Sequence, residues 1–559
     1  MTVQSNITKT APEPLGSLPP GGQAAPRIYQ FHPLDAGPMP DWPAWFDHAA
    51  GLGFTHVLSA PFFAGPSLHL VRDFNRSFEA LGGPASAQEA LRLYADAARA
   101  SGLIPLLDLY PGRVSAEHTL GPATERLFLR PAAEHALDPR AYPALAGAAQ
   151  ADWAGEAEGL ASFWSGLLAI WQETGLAGFR IDLRQIAAEP RPSVLQALRS
   201  AVSGELFGWT PGLPWAEVRA LDGAGLDFVF SSLPWWDFRA EWFWEEAERL
   251  ATLAPAIAPV EDPFGTRLAA AIGDLGELRR AQRRVVNFAS ATGHGLLMPM
   301  GFEIGATRSW DTRRGAPVEP AVSPDLRAIL RQANLAPQGG STTRIGSPNG
   351  EVLALMRSAA DLRFASGVEL TFFNPSQRRR AAAPIETVMT ALGGHFLPDT
   401  EMAEPVFLEP GSIATLRLHA QAAQPRPVQP LEKTVEAASA AGLRIAIEAV
   451  SPAVDGGRFP VKRVAGEIVT VTADLLCDGH DQLAAALHWR RKDVREWRQA
   501  RFAPIVNDRW QAQFFLADIG THEFFVEVWR DAYATYRDEL GKKHRAGVDV
   551  TVELMEGRK

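Results

Sequence analysis

The sequence has almost no cysteine and no long hydrophobic run. Cys477 is the single cysteine among 559 residues, so an internal disulfide is excluded and a reducing compartment is the simplest setting. Residues 1–26 contain no apolar stretch of signal-peptide length, and no later segment has the roughly 18 uninterrupted apolar residues that a membrane span needs. These absences favour a cytoplasmic protein that makes no use of a membrane.

Positive charge is also scarce. The 54 lysine and arginine residues are scattered and are outnumbered by 64 acidic residues, which gives a net charge of −10. This distribution argues against a nucleic-acid partner and suits a neutral ligand such as a sugar. Histidines His32, His56 and His69 lie on or after predicted strands, but no second ligand stands at a zinc-binding spacing, so neither a metal nor another cofactor is predicted.

The chain does contain a regular alternation of strand and helix patterns. Eight strand patterns separated by helices predict a (β/α)8 TIM barrel over residues 27–336. A doubly wound sheet is the alternative, but it would need fewer strands and usually a glycine-rich first turn. The segment 110–152 is too long for a plain loop and is a candidate lid or small subdomain. The predicted strands are Ile28–His32, Thr55–Ala60, Leu103–Leu109, Gly178–Leu183, Ser203–Phe207, Leu226–Ser232, Ile257–Val260 and Leu296–Met300.

Outside the barrel, the patterns are those of a leader, a linker and two β regions. Residues 1–26 are rich in Pro, Gly and Ala and predict a disordered leader. Residues 337–419 predict a small antiparallel β domain, and residues 420–441 a proline-containing linker. Alternating runs over residues 442–559, the last of them VDVTVEL at 548–554, predict an immunoglobulin-like β-sandwich with Trp489, Trp510 and Trp529 in its core or in the seam between its sheets.

Two carboxylates stand on neighbouring predicted strands. Asp182 and Glu205 each belong to a short apolar run, and Arg180 shares a strand face with Asp182 because alternate strand residues point the same way. Two carboxylates at the C-terminal ends of adjacent parallel strands are what a glycosidase needs, one to attack the sugar carbon and one to protonate the leaving oxygen. Acids at a barrel rim without a catalytic role fit the same spacing equally well.

Longer stretches resemble a known family. GFRID, GELFGWTP, LDGAGLDFVFSSLPWWDF, TRLAA and MPMGFEIG resemble the barrel of the alpha-amylase family, glycoside hydrolase family 13, and within it the bacterial alpha-1,4-glucan:maltose-1-phosphate maltosyltransferases. Independently, the stretch from IEAVSPAVDGGRFP to YRDELGKK is similar to the N-terminal sandwich domain of those maltosyltransferases. In that family the sandwich precedes the catalytic barrel, whereas here it follows one. The order resembles the front half of a longer fusion, and the transferase barrel is then expected to lie outside these residues.

The resemblance implies roles for four residues. Asp182 corresponds to the nucleophile and Glu205 to the acid/base, with Arg180 and Asp108 as substrate-binding partners. It also implies an alpha-glucan or maltooligosaccharide as substrate, with maltose 1-phosphate as a further option. The carboxyl groups of a retaining pair are expected to stand about 5–5.5 Å apart.

Other motif positions depart from the family pattern. Gly112 and Arg113 stand where the third-strand motif has Asn-His, while Pro263 and Phe264 stand where the seventh-strand motif has His-Asp. A shifted alignment offers Glu261 or Asp262 as the third acid, and Asp311 is a candidate substrate contact or helix cap. Loss of the third acid removes several kcal/mol of transition-state stabilisation, roughly a factor of 10³ in rate.

Three hypotheses therefore remain open. The first is a retaining alpha-glucan hydrolase or transferase with an impaired barrel, the second a catalytically degenerate glucan-binding or structural module, and the third an inert fragment. Donor, acceptor, the choice between hydrolysis and transfer, and the oligomeric state, a homodimer included, are left open by the sequence.

Overall fold

The computed structural model describes the chain in segments: residues 25–129, 147–335, 341–346, 350–358, 365–392, 396–398, 406–420, 445–454, 457, 459–479 and 481–557. The chain divides between Gly339 and Gly340 into two compact units, here called the barrel unit and the β unit. Nearly all of the predicted leader and linker lie outside the described residues.

The barrel unit contains a closed parallel barrel of eight strands, which confirms the predicted architecture. The strands follow one another around the barrel in chain order, and the eighth pairs with the first. They are β1 Arg27–Phe31, β2 His56–Ser59, β3 Ile104–Leu109, β4 Gly178–Asp182, β5 Glu205–Trp209, β6 Phe228–Phe230, β7 Ala256–Pro259 and β8 Gly295–Pro299.

Side chains from these strands fill the barrel interior. Phe207 and Phe228 stack with ring centroids 5.2 Å apart, and Leu106 and Ile257 belong to the same buried cluster. Burial of each such side chain contributes about 1.5–3 kcal/mol. Because strand residues alternate, Phe207 also shows that Glu205 and Trp209 lie on the inward face of β5.

Helices cover the barrel from outside. The helix at 87–100 has a regular apolar face, and its first turn is capped by Ser86, whose hydroxyl accepts from the Glu89 amide. Its Tyr94 hydroxyl lies 2.9 Å from both the Val57 and Leu106 carbonyl oxygens and so fixes this helix to two strands. The helices are α1 Trp42–Gly51, α2 Ala87–Ala100, α3 Ala157–Gln172, α4 Arg191–Ala201, α5 Trp215–Arg219, α6 Trp242–Ala251, α7 Leu268–Ala271, α8 Leu275–Thr292 and α9 Pro324–Leu335.

The long segment after β3 contains a small sheet. Strands Arg113–Ser115, Ala148–Ala151 and Phe128–Leu129 pair antiparallel, with Ala148–Ala151 in the middle. Residues 130–146 lie outside the described part of the chain. The segment is thus a small subdomain, while its action as a lid stays a prediction.

The β unit begins with a five-stranded antiparallel sheet. Its order is Ser341–Ile345, Leu353–Ser358, Gly367–Phe373, Ile413–Ala420 and Phe396–Pro398, and a two-stranded ribbon, Ala381–Ala382 with Phe407–Leu408, accompanies it. Helix α10, Ile385–Ala391, was not predicted because seven residues hold fewer than two turns of periodicity. The sheet's core includes Phe515, whose ring centroid lies 6.2 Å from that of Phe396.

Two further antiparallel sheets pack face to face in the same unit. Trp489 is only 2% exposed in their shared core and stacks on Phe514, while Trp510 packs against the same core, as predicted. One sheet has the order Ile445–Ser451, Ile468–Cys477, Arg509–Phe515 and Ala503–Val506, and the other Arg498–Arg501, Leu483–Arg491 and His522–Arg530.

The predicted final strand, 548–554, is wrong. Helix α11, Ala532–Arg545, ends before this region, and helix α12, Thr551–Glu556, takes up its second half. The Asp549 carboxylate accepts from the Thr551 amide at 3.0 Å, and the Tyr536 hydroxyl donates to the Glu553 carbonyl at 2.7 Å. The alternation of apolar and polar residues over 548–554 predicted a strand, because the local sequence pattern carries no information about these hydrogen bonds. No helix within the described ranges combines the length and the apolar character that crossing a bilayer requires.

Candidate functional site

A cleft of about 740 Å³ opens at the C-terminal ends of the barrel strands. Four aspartates line it: Asp108 on β3, Asp182 at the end of β4, Asp262 after β7 and Asp311 after β8. This end of a (β/α)8 barrel is where such folds place their functional residues, because the loops that follow the strands converge there.

Asp108 and Arg180 form a buried pair on the floor of the cleft. Arg180 donates through Nε to Asp108 Oδ1 at 2.6 Å and through Nη2 to Oδ2 at 2.8 Å. Burial by itself lowers the pKa of the Arg180 guanidinium, but the Asp108 carboxylate outweighs it, and the pKa is raised above its ordinary value. The guanidinium also lies 4.8 Å from the ring centroid of Trp209. Two substrate-binding residues predicted from the sequence are thereby brought together and bound to each other.

Asp182 is held by Arg184 and Gln185, the second and third residues after β4. Arg184 donates through Nε to Oδ1 at 2.8 Å and through Nη2 to Oδ2 at 2.7 Å, and Gln185 Nε2 donates to Oδ2 at 3.1 Å. Burial raises the pKa of Asp182, but the Arg184 charge and these hydrogen bonds outweigh it, so the pKa lies below its ordinary value. The charge that favours the ionised form of Asp182 is chiefly that of Arg184. Both oxygens of the Asp182 carboxylate thus accept hydrogen bonds from protein donors.

Gly112 makes room for this arrangement. Its amide donates to Gln185 Oε1 at 3.1 Å, which orients the Gln185 amide nitrogen towards Asp182. A Cβ at position 112 would stand 2.5 Å from Gln185 Cβ and 2.6 Å from the Gln185 carbonyl oxygen. The departure from the family motif at Gly112 therefore has a local physical reason, which is close approach of the β4 loop.

Glu205 does not reach the cleft, and its predicted meeting with Asp182 is wrong. Along the β4–β5 ladder Glu205 pairs with Gly178, and it is Trp209 that pairs with Asp182. Four strand residues at about 3.3 Å each separate the two levels by roughly 13 Å, so Glu205 faces the N-terminal end of the barrel. There its Oε2 lies 3.1 Å from His56 Nε2. The sequence error was the strand boundary: β5 starts at Glu205, two residues later than predicted, so the glutamate begins the strand.

The two candidate acids after β7, Glu261 and Asp262, lie in different surroundings in the structure. Asp262 lines the cleft, and its Oδ1 accepts from the Phe264 amide at 3.0 Å. Burial raises the pKa of the Asp262 carboxyl, although nearby amides and Arg184 act in the opposite direction. Glu261 is turned into the protein, where its Oε2 accepts from Arg267 Nε at 2.7 Å. Only Asp262 of the two shares the cleft with Asp182.

Aromatic rings form much of the remaining wall. His69 packs between Tyr110 and Phe264, with centroid distances of 4.2 and 5.2 Å, and Phe264 lies 5.6 Å from Trp310. Flat apolar faces beside hydrogen-bonding groups suit the faces and hydroxyls of sugar rings. Tyr110 and Trp209 directly follow or end a barrel strand, and this position was the signal by which the sequence could have identified them.

The rim of the cleft carries further charges. Arg308, Asp311 and Arg313 line it on the segment after β8 and are exposed. Asp311 Oδ1 accepts from the Arg313 amide at 2.8 Å, so it caps a turn and not a helix. Within the described residues, no group of three or more His, Cys, Asp or Glu is arranged to hold a metal ion.

The barrel unit has a fold that also occurs in alpha-amylases. Among solved structures, an alpha-amylase from Geobacillus thermoleovorans complexed with acarbose superimposes with a TM-score of 0.55 at 14% identity, over 71% of this chain and 99% of that one. At this identity the likeness concerns the fold alone.

The sequence relatives are more specific. Residues 443–559 match the family model described as alpha-1,4-glucan:maltose-1-phosphate maltosyltransferase, domain N/S. The maltosyltransferase of Burkholderia pseudomallei is 34% identical over 96% of this chain and 51% of its own length, and that of Cereibacter sphaeroides is 46% identical over 21% of this chain and 20% of its own length. The chain is therefore similar in sequence to these maltosyltransferases and similar in fold to an alpha-amylase. It spans about half the length, or less, of the curated relatives it matches.

Proposed function

We propose that this chain is an alpha-glucan-active part of an alpha-1,4-glucan:maltose-1-phosphate maltosyltransferase, and that its own barrel binds glucan without cleaving it efficiently. The bidentate Arg184–Asp182 pair is the observation that supports binding without efficient cleavage. Hydrogen bonds from charged donors stabilise a carboxylate and lower its reactivity as a nucleophile, and both oxygens of Asp182 accept from Arg184 or Gln185.

The missing proton donor supports the same proposal. The neighbouring strand β5 ends in Gly208 and Trp209, so the level of Asp182 holds an indole where a retaining glycosidase needs its acid. A glycosidic oxygen is a poor leaving group unless it is protonated, and general acid catalysis contributes about 10²–10⁴-fold in rate. The cleft retains aromatic walls and paired charges, which suffice for binding.

A second candidate is slow retaining transfer or hydrolysis by this barrel, the reaction named for its relatives. One observation favours it: the pKa of Asp182 is lowered by Arg184 while that of Asp262 is raised by burial, and both line one cleft. Carboxyls whose pKa values are pushed apart are the usual pattern of a base or nucleophile beside an acid. In this case Asp262 would protonate the leaving oxygen.

One experiment separates the two. The purified chain is titrated with maltoheptaose by calorimetry and is also incubated with maltoheptaose, with and without maltose 1-phosphate, while products are followed by chromatography. We expect saturable binding without new saccharides. Products that disappear in Asp182→Asn would favour catalysis by the barrel, and absence of binding would refute the proposed function.

The binding site is located with a variant and a matched control. Phe264 is 36% exposed in the cleft, whereas Trp215 is 38% exposed outside it. We expect Phe264→Ala to weaken maltoheptaose binding about three- to tenfold, the usual range for one aromatic contact, and Trp215→Ala to leave it unchanged. Equal effects of the two substitutions would contradict binding in this cleft.

Three finer assignments belong to this proposal. The two packed sheets of residues 445–530 are assigned an immunoglobulin-like build, supported by their shared core around Trp489. A cytoplasmic location is supported by the single cysteine. The oligomeric state, with a homodimer among the options, is settled by light scattering.

A further inference from the structure

Arg184 holds both oxygens of the Asp182 carboxylate. It follows Asp182 by two residues, and its guanidinium donates one hydrogen bond to each carboxylate oxygen. The Arg184 side chain is 17% exposed and that of Asp182 only 5%, and both residues line the cleft. The guanidinium also lies 5.9 Å from the Trp209 ring centroid, which limits its freedom to swing away.

The geometry of the pair is that of a clamp. A planar guanidinium meets a carboxylate through two parallel hydrogen bonds, and a lysine cannot reproduce this because its ammonium is a single point charge. Gln185 adds a third donor and is itself held by the Gly112 amide. Both oxygens of Asp182 therefore accept hydrogen bonds from protein donors before a ligand arrives, which stabilises the carboxylate and lowers its nucleophilicity.

We propose that Arg184 is a positioning residue that withholds the Asp182 carboxylate from nucleophilic attack, so that the cleft keeps a bound glucan chain intact. The proposal rests on the proposed function, in which this cleft accepts alpha-glucan. In this proposal the barrel cleaves glucan poorly for two reasons. Arg184 holds the Asp182 carboxylate, and β5 supplies no acid at the level of Asp182.

The two causes can be separated chemically. An alpha-maltosyl fluoride needs no protonation of its leaving group, so it reports on the nucleophile alone. The Asp182 oxygen forms a bond to C1 as the C1–F bond breaks and fluoride departs with the bonding electrons. Water then adds to C1, the ester bond breaks, its proton passes to solvent, and Asp182 is regenerated as a carboxylate.

The test compares wild type with Arg184→Lys and Arg184→Met. Each protein is incubated with alpha-maltosyl fluoride, quenched in acid and analysed by intact mass and by peptide mapping for a maltosyl group on Asp182. We expect adduct in both variants at a level at least about tenfold above wild type, the factor associated with one lost hydrogen bond to a charged group. Arg491→Lys is the matched control, because Arg491 also pairs with an aspartate two residues away, Asp493, but lies in the β unit and pairs with an exposed carboxylate.

The pH dependence of the adduct distinguishes clamping from a structural effect. Arg184→Lys keeps a positive charge near Asp182, whereas Arg184→Met removes it, so adduct formation should begin at higher pH in Arg184→Met. A merely loosened fold would not separate the two profiles in this way.

Two results would overturn the proposal. One is adduct in wild type at the level of the variants, which would show that the clamp does not withhold Asp182. The other is no adduct in either variant although both bind maltoheptaose with wild-type affinity. If the wild-type chain does not bind maltoheptaose, the proposed function is refuted instead. The two failures can be told apart because the binding measurement does not depend on the reactivity of Asp182.

Discussion

Replacing Asp108 by asparagine is expected to destabilise the barrel unit strongly. The substitution keeps the size of the side chain but removes the charge that Arg180 faces. The Arg180 guanidinium cannot move to solvent, because it is 6% exposed and packed within 4.8 Å of the Trp209 ring centroid and 5.5 Å of that of Phe230.

The magnitude follows from the two hydrogen bonds at 2.6 and 2.8 Å. An asparagine can accept one of them through its oxygen, but its amide group then faces another donor, so one guanidinium N–H is left without an acceptor. Breaking a buried ion pair on one side costs about 3–5 kcal/mol. Because one hydrogen bond survives, we expect about 3 kcal/mol, at the lower end of that range.

The assay is urea unfolding followed by tryptophan fluorescence, with hydrogen exchange of β4 as a local measurement. Glu245→Gln is the control, because the Glu245–Arg249 pair is exposed and should cost below about 0.5 kcal/mol. Replacing both partners, Asp108→Leu with Arg180→Met, should cost less than the sum of the single changes. A cost for Asp108→Asn within about 1 kcal/mol of wild type would refute the buried ion pair.

Other substitutions test other parts of the molecule. Trp489→Ala should cost about 3–5 kcal/mol in denaturant unfolding of the β unit, because it empties the space against Phe514, and a cost near zero would contradict its core position. Gly112→Ala should cost about 1–3 kcal/mol in thermal or urea unfolding, because its methyl group would collide with Gln185, and an unchanged stability would show that the loop yields freely. The folded-state pKa of Asp182 is lowered, so the unfolded chain binds more protons between the two pKa values and the stabilisation is lost as pH falls through that window. We therefore expect the stability difference between wild type and Asp182→Asn to shrink below about pH 4, and a difference independent of pH would contradict it.

The fold was largely accessible from the sequence because each barrel strand is a short apolar run next to an amphipathic helix. All eight strands lie where the pattern placed them, with boundaries shifted by one or two residues. The two missed helices have different causes. Helix α10 is too short for a period, and α12 is held by Tyr536 and Asp549 contacts that alternation does not encode.

The site was harder to predict from the sequence than the fold, because its geometry depends on which residue of each strand lies at the cleft. Asp182 and Asp108 both line the cleft, since each stands at or near the C-terminal end of its strand. Glu205 was misplaced because a shift of two residues moves a side chain from the middle of a strand to its start. Arg184 and Gln185 were overlooked because their hydrogen bonds to Asp182 depend on loop conformation after the strand.

The most direct test of a cleft that binds glucan without cleaving it is native mass spectrometry of the wild-type chain with maltoheptaose over several hours. We expect a complex whose added mass is that of one intact maltoheptaose and does not change with time. Complexes with shorter saccharides appearing over the same hours, or no complex at any concentration, would contradict it.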